Sequence, residues 1–275
     1  MPVSVCGPLC GGCAEVDGSL SSQIVTGLLI AAPYAQTDVI LNVKNLKSKP
    51  YIDITLNMMK QFGVEVKNYN YERFEIGCHQ HYSPMNYIVE GDWSGVAFLL
   101  IAGALSGNVT VINVSMNSSQ ADKAIVDVLR MVGANVNILE NAISVSKGDL
   151  NSFDFDATEC PDLFPPLVAL ASHCNGITKI KGVSRLAHKE SNRALVLQKE
   201  FAKVGTRIDL VEDEMVIYGG MLVGGKMHAN NDHRIAMAGA VAALLARQPI
   251  EIENPECVAK SYPQFWNDLA LISKH

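Results

Sequence analysis

The chain lacks any apolar run long enough to cross a bilayer. The longest, residues 96–105 and 235–246, fall well short of the roughly 20 residues a spanning helix needs. No cationic segment followed by an apolar one opens the sequence, which argues against a signal peptide. Charge is scarce, at 18% of residues with a net of −6, a balance unsuited to nonspecific attraction of nucleic acid or an acidic membrane. No Gly-x-Gly-x-x-Gly follows a strand-like run and no Walker loop is present, so the common nucleotide cradles are missing. The seven histidines show no metal-ligand spacing; His79 and His81, two apart in a polar loop, belong at the surface. Aromatic residues make up only 7%, and the two tryptophans, Trp93 and Trp266, are expected to be packing residues. Seven cysteines, odd in number and scattered, make no disulfide framework and suit a reducing cytoplasm.

What the chain does have is bulk and repetition. Its 275 residues, 48% of them hydrophobic, suffice for a large core and two domains. A unit of about seventy residues recurs four times, which points to one supersecondary unit that buries its faces against its copies. The copies open on Ser21-Ser22-Gln23, Asp92-Trp93-Ser94, Pro161-Asp162 and Asn231-Asp232-His233-Arg234. A small-residue apolar helix follows, at residues 23–32, 95–105, 163–172 and 235–246. Helices apolar nearly all round are expected to be buried on every side. β-branched strands come next, at 39–43, 109–114, 178–183 and 250–252.

A second helix then carries a single apolar stripe, as Ile125, Val128, Leu129 and Val132 do within residues 120–132. Gly63, Gly133 and Gly205 close three of these helices as left-handed caps. A hairpin completes the unit, for example residues 134–138 and 143–145 around Glu140-Asn141. The predicted fold is α/β, a repeated βαβαββ unit with helices inside and sheets outside. The fourth copy ends in a helix at 262–272 with neither Gly nor hairpin after it. That would leave backbone groups and apolar surface uncovered, so strands from outside these residues are expected.

Chemistry concentrates at helix starts, where free N–H groups favour anions. Ser21-Ser22-Gln23 can cradle a phosphate or act simply as a Ser N-cap, and Asp162 beside Pro161 is by default an N-cap as well. The cations Lys189, Arg193, His233-Arg234 and Lys260 also gather at helix starts, where positive charge opposes the dipole by a few tenths to about 1 kcal/mol. A ligand with several negative charges reverses that penalty. Glu190 and Asp162 stand beside these cations, either as general acid and base or as plain partners of a neighbouring Lys or Arg. Cys6, Cys10 and Cys13 form a C-x3-C-x2-C pattern that can hold an iron–sulfur cluster or be incidental to a Gly-rich loop.

Five motifs, taken in order, are recognisable. Val16-Asp17-Gly18-Ser19-Leu20-Ser21-Ser22-Gln23, Ser48-Lys49-Pro50-Tyr51-Ile52-Asp53, His188-Lys189-Glu190-Ser191-Asn192-Arg193, Asn231-Asp232-His233-Arg234-Ile235-Ala236-Met237 and Ala259-Lys260-Ser261-Tyr262-Pro263 together resemble the 3-phosphoshikimate 1-carboxyvinyltransferase (EPSP synthase) family. The resemblance implies two lobes of three βαβαββ units each, the enolpyruvyl transferase or inside-out α/β barrel architecture. Residues 1–90 would be the last part of one lobe, on the shikimate-phosphate side. Residues 91–275 would be most of the other, on the phosphoenolpyruvate side.

The implied reaction moves the enolpyruvyl group of phosphoenolpyruvate to the 5-hydroxyl of shikimate 3-phosphate, in chorismate and aromatic amino-acid biosynthesis. It calls for no metal or organic cofactor and takes place in the cytoplasm. By this resemblance Ser21, Ser22 and Ser48 bind the shikimate phosphate, Gln23 bridges toward phosphoenolpyruvate and Tyr51 lines the ring pocket. Asp162 takes the 5-hydroxyl proton and Lys189 contacts the same substrate. Glu190 protonates the methylene carbon, while Arg193, Arg234 and Lys260 hold the phosphoenolpyruvate carboxylate and phosphate. The family's N-terminal Lys-Ser pair, its Asn-Gly-Thr loop and a further phosphoenolpyruvate-binding Arg have no counterpart here, and Arg185 stands where some members carry Asn. The isolated chain is therefore expected to turn over poorly without an N-terminal segment. The competing readings are a UDP-N-acetylglucosamine enolpyruvyl transferase and a non-catalytic fragment or split subunit.

Overall fold

The computed structural model describes residues 2–19, 21–187 and 189–272. Met1, residues 273–275, and Leu20 and His188 from two of the motifs lie outside the described residues. The chain divides into two units, Met1–Val89 with Ser119–Ala121, and Glu90–Ser118 with Asp122–His275.

In unit 1, strand β1 (Gly12–Asp17) leads into helix α1 (Ser22–Ala31) and strand β2 (Val39–Lys44) into helix α2 (Lys49–Gln61), before a hairpin of β3 (Val66–Tyr69) and β4 (Arg73–Ile76). The sheet order is β1-β2-β4-β3. β1 and β2 run parallel, with Ala14 opposite Leu41, so the crossover through α1 is obligatory. α2 is amphipathic and buries Ile52, Thr55 and Met59 in a core with Leu41, Val43, Phe74 and Ile76. Gly63 follows α2 at φ +88°, the left-handed closure that glycine adopts without a Cβ clash.

α1 departs from expectation. Val25 and Leu29 are buried, but Gln23, Ile24, Gly27, Ile30 and Tyr34 form an exposed stripe. Burial on every side fails for this copy because no sister apolar helix lies beside it among the described residues of its unit.

Unit 2 holds the other three copies. The first is α3 (Trp93–Ser106), β5 (Asn108–Ile112), α4 (Ile125–Met131), β6 (Asn135–Ile138) and β7 (Ala142–Ser146). Next come β8 (Asp154–Asp156), α5 (Phe164–Ala171), β9 (Ile177–Lys181), α6 (Arg193–Lys203), β10 (Arg207–Val211) and β11 (Glu214–Tyr218). The last is β12 (Gly225–His228), α7 (His233–Ala242), β13 (Ile250–Glu253) and α8 (Phe265–Ile272). The sheets repeat one topology at different degrees of completeness: β5-β7-β6, then β10-β11-β9-β8, then the parallel pair β12-β13. Among the described residues the fourth copy has no hairpin, and the sheets close no barrel.

Inside these sheets α3, α5 and α7 pack on one another. Every residue of α5 is buried, as is all of α3 except Ser106 and all of α7 except Arg234. Gly103 lets α3 approach its sheet, since a Cβ there would meet the Val145 carbonyl oxygen at 2.7 Å. Asp162 falls inside a 3-10 turn, Pro161–Leu163, and caps nothing. Lys260 ends the 3-10 turn Pro255–Lys260 rather than opening a helix. No helix among the described residues is long and apolar enough to cross a membrane.

Candidate active site

Because α7 is buried around its whole circumference except at Arg234, its N-terminus has to be satisfied from within. Asp232 does this as the N-cap, accepting the Arg234 N–H at 3.1 Å. Its carboxylate is fully buried, and an isolated buried charge costs several kcal/mol. Arg193, the first residue of α6 and also fully buried, supplies the counter-charge with a fork: Nε to Oδ2 at 2.8 Å and Nη2 to Oδ1 at 3.1 Å. Ser191 Oγ adds a third donor to Asp232 at 3.1 Å.

The rest of the Arg193 guanidinium is taken up as well. Nη1 donates to Asp162 at 2.9 Å and Nη2 to Glu190 at 2.6 Å, so four of its five donors face three carboxylates. Around this centre lie three partly or largely exposed cations. Lys189 Nζ is 3.3 Å from Asp162, Arg234 Nη2 is 3.3 Å from Asp162, and Lys260 Nζ is 3.5 Å from Glu190. Their side chains are 26%, 12% and 62% exposed respectively. Thus the expected convergence of Asp162, Lys189, Glu190, Arg193, Arg234 and Lys260 occurs within unit 2. The dipole penalty at the helix starts is offset by the protein's own carboxylates, before any ligand arrives.

Electrostatics follow from this lattice. Burial works against an ionised Asp162, but Arg234, Lys189 and Arg193 outweigh it and hold the carboxyl well below the usual carboxylate range. Glu190 and Asp232 are likewise penalised by burial yet held low by Arg193. His233 is pushed down by burial and by Arg234, so it is neutral at pH 7. With four cations against three carboxylates the cluster carries one net positive charge.

The tautomer of His233 can be read from its neighbour. Arg234 Nη1 lies 2.9 Å from Nε2 and can only donate, so Nε2 carries the lone pair and Nδ1 the proton. Nδ1 points toward Glu190 Oε1 at 4.0 Å. Both His233 Nδ1 and Arg234 Nε are buried without a hydrogen-bond partner. Unpaired buried donors are costly and rare, and here they adjoin three accessible cations and a carboxylate. An anion with several oxygens would satisfy them.

Unit 1 positions the other expected residues. β1 and β2 are parallel and each feeds a helix, so the starts of α1 and α2 lie at the same end of the sheet. The two helices touch, with the Thr26 and Thr55 hydroxyls 3.0 Å apart. Ser21 caps α1, its Oγ accepting the Gln23 N–H at 3.1 Å. Ser22 is buried beside it and Gln23 exposed. Ser48 precedes α2 in a left-handed conformation, φ 54°, and Tyr51 lies in the first turn, half-buried. Arg185, in unit 2, donates from Nε to the Thr158 carbonyl at 3.3 Å.

The iron–sulfur alternative is set aside. Cys6, Cys10 and Cys13 are exposed, Cys13 belongs to β1, and no group of three His, Cys, Asp or Glu residues among those described could hold a metal ion. Asp232 and Ser191 are site residues that the sequence reading did not assign, and His233, expected there as a cation, is instead kept neutral by burial and by Arg234. The available signal was the polar run Asn231-Asp232-His233-Arg234 directly before a wholly apolar helix, which demands a buried cap.

The sequence profile of EPSP synthase (3-phosphoshikimate 1-carboxyvinyltransferase) matches residues 1–269. The 3-phosphoshikimate 1-carboxyvinyltransferase of Clostridium novyi (strain NT) is 40% identical over 270 residues, covering 98% of this chain and 62% of the relative. That of Enterobacter sp. (strain 638) is 41% identical over 276 residues, covering 99% and 64%. The chain thus spans less than two thirds of the length of these relatives. An EPSP synthase structure from Acinetobacter baumannii superposes with a TM-score of 0.80 at 24% identity, over 96% of this chain and 63% of that one. The enolpyruvyl transferase NikO from Streptomyces tendae gives 0.72 at 18% identity, over 94% and 63%. The last two establish the fold.

Proposed function

The chain belongs to the EPSP synthase family, and from that premise we propose that it forms the larger part of an enzyme that transfers the enolpyruvyl group of phosphoenolpyruvate to the 5-hydroxyl of shikimate 3-phosphate. The observation that carries the reading is the unit 2 cluster: Lys189, Arg234 and Lys260 accessible around Asp162 and Glu190, with two buried N–H groups unpaired. Arg234 and Lys260 hold the carboxylate and phosphate of phosphoenolpyruvate, with Arg193 joining them once Glu190 or Asp162 lets go of it. Ser21, Ser22, Gln23, Ser48 and Tyr51 bind shikimate 3-phosphate together with Lys189. Asp162 accepts the hydroxyl proton as that oxygen attacks C2 of phosphoenolpyruvate, and Glu190 delivers a proton to the methylene C3. Loss of the proton from the resulting methyl and expulsion of phosphate then restore the enol ether.

A carboxyl group held ionised cannot donate a proton, and Glu190 is held ionised in the free chain. The substrate changes this. Its negative charges engage Arg193, the cation that depresses Glu190, raising the proton affinity of Glu190 as the reacting carbon arrives. Tuning of an acid by the charge of its own substrate needs no metal. The matching family model and the relatives named above are 3-phosphoshikimate 1-carboxyvinyltransferases, so the UDP-N-acetylglucosamine alternative is not favoured.

We further propose that turnover requires a polypeptide equivalent to the portion of the relatives outside the match. Against the Clostridium novyi relative that portion is about 165 residues, enough for two more copies of a repeat of about 70. The exposed stripe of α1 supports this, because in unit 2 three such helices cover one another. All seven cysteines are unpaired, which fits action in the reducing cytoplasm. Phosphate release from phosphoenolpyruvate and shikimate 3-phosphate tests the reading. The chain alone should release little, and the chain mixed with the unmatched portion of the Clostridium novyi relative should turn over. Full activity of the chain alone would remove the need for a partner segment, and a stable mixed complex with no release would sink the transferase reading.

A further inference from the structure

A buried carboxylate lies outside the cluster. Glu200 on α6 is 1% exposed, and its Oε2 accepts the His228 N–H at 2.8 Å and Lys203 Nζ at 2.6 Å. His228 is the last residue of β12, and the chain from there to the N-cap Asp232 makes an unusual turn. Asn230 and Asn231 are both left-handed, with φ of 55° and 56°, a conformation that Asn tolerates better than other non-glycine residues but that usually occurs singly. Such a turn persists only when its surroundings over-determine it. Within the turn, His228 Nδ1 accepts the Asn230 N–H at 2.8 Å and the Asn230 side chain donates to the His228 carbonyl at 2.8 Å. From the far side, Asn254 accepts the Asn231 N–H at 2.9 Å.

Backbone bonds add to this, from the Ala229 N–H to the Glu253 carbonyl and from the Asp232 N–H to the Ala229 carbonyl, each at 3.0 Å, and α6 holds the turn at both ends. Arg193 and Glu200 are seven residues apart, two helical turns, and so lie on one face. Arg193 grips Asp232 at the exit of the turn, and Glu200 grips His228 at its entry. We propose that Glu200 is a positioning residue: with Arg193 it brackets the β12–α7 turn and thereby sets where Arg234 and His233 present their donors. The inference rests on the proposed function, because it concerns the cation assigned to phosphoenolpyruvate. Glu200 touches no substrate.

The experiment compares Glu200→Ala with Glu200→Gln in the full chain, by calorimetric titration of phosphoenolpyruvate and by backbone amide resonances. Glutamine keeps an oxygen for the His228 N–H but cannot form the ion pair with Lys203. Glu200→Ala should shift or broaden the Asn230, Asn231 and Arg234 amides and weaken phosphoenolpyruvate binding about tenfold. Glu200→Gln should restore both while leaving the lost Lys203 contact unrepaired. A purely stabilising role would instead lower the melting temperature in both variants and leave the turn resonances and the affinity alone, which would overturn the proposal. If the unaltered chain binds no phosphoenolpyruvate, the function assignment fails, and the turn resonances alone still decide whether Glu200 holds the turn. If Glu200→Ala does not fold, Glu200→Asp carries the test, because it keeps the charge but withdraws the carboxylate by one methylene from the His228 N–H. Shifted turn amides with weakened phosphoenolpyruvate binding in Glu200→Asp support the proposal, and unshifted amides with unchanged affinity overturn it.

Discussion

Asp232→Asn removes one charge from the centre of the cluster while keeping its shape, and its cost can be worked from the contacts. Asparagine remains a good N-cap, so the Arg234 N–H stays satisfied. What is lost is the carboxylate facing the fully buried Arg193 fork. Breaking a buried ion pair by removing one partner costs about 3–5 kcal/mol, and Arg193 still has Asp162 and Glu190, which favours the low end. The expected loss is therefore about 3 kcal/mol, with Asp232→Ala adding about 1 kcal/mol for the missing cap. Both tryptophans, Trp93 on α3 and Trp266 on α8, belong to unit 2, so their fluorescence in a urea titration follows that unit alone. At a typical slope of about 2 kcal/mol per M, a loss of 3 kcal/mol moves the midpoint down by about 1.5 M. A shift under about 0.5 M for Asp232→Asn would refute the idea that a buried charge lattice organises the site.

Other outcomes follow from the same geometry. Lys260→Met should leave the unfolding free energy within about 0.5 kcal/mol of the unaltered chain, since an exposed pair contributes little, yet weaken phosphoenolpyruvate binding; a large stability loss would show that Lys260 is structural. Asp162, Glu190 and Asp232 all have folded-state pKa values depressed below their ordinary 3.8, 4.5 and 3.8. Their stabilisation is present above those values and is lost as pH falls through the lower folded ones. As pH falls below the ordinary histidine value of 6.5, the buried and depressed His233 and His173 should begin to lower the unit 2 midpoint, and the decline should steepen below about 4.5 as the carboxylates protonate; a midpoint that stays level down to about pH 3 would contradict the charge lattice. Phosphoenolpyruvate binding should take up protons, more at pH 6 than at pH 8, when titrated in buffers of differing ionisation enthalpy; no uptake would contradict the tuning of Glu190. Ile24→Glu, on the exposed stripe of α1, should leave the chain as stable as before but block complementation by the unmatched portion of the Clostridium novyi relative.

The repeat was legible because its punctuation is local. Gly63, Gly133 and Gly205 all sit at positive φ, and the second helices bury the stripe their spacing predicts, as Ile125, Val128 and Leu129 do. The fate of α1 was not legible. An apolar helix reads the same whether or not its neighbours are present, and only packing reveals that Ile24 and Ile30 face outward. Asp162 looked like a cap because capping is the common use of an Asp beside Pro, whereas its carboxylate is claimed by three cations that arrive from distant segments. Local patterns carry no trace of such long-range pairing. The same limit concealed the commitment of Arg193 to Asp232, 39 positions along the chain, and the bracket that Glu200 completes.

The cluster in unit 2 is tested most directly by titrating phosphoenolpyruvate into the 15N-labelled chain while following the Arg234 side-chain Nε–H and the amides of Glu190, Asp232 and Lys260. Saturable shifts at these groups, abolished by Arg234→Met and little changed at distant surface lysines, are the predicted result. Unmoved cluster signals at ligand concentrations that perturb scattered surface lysines would mean that the converging cations serve only to hold the fold together.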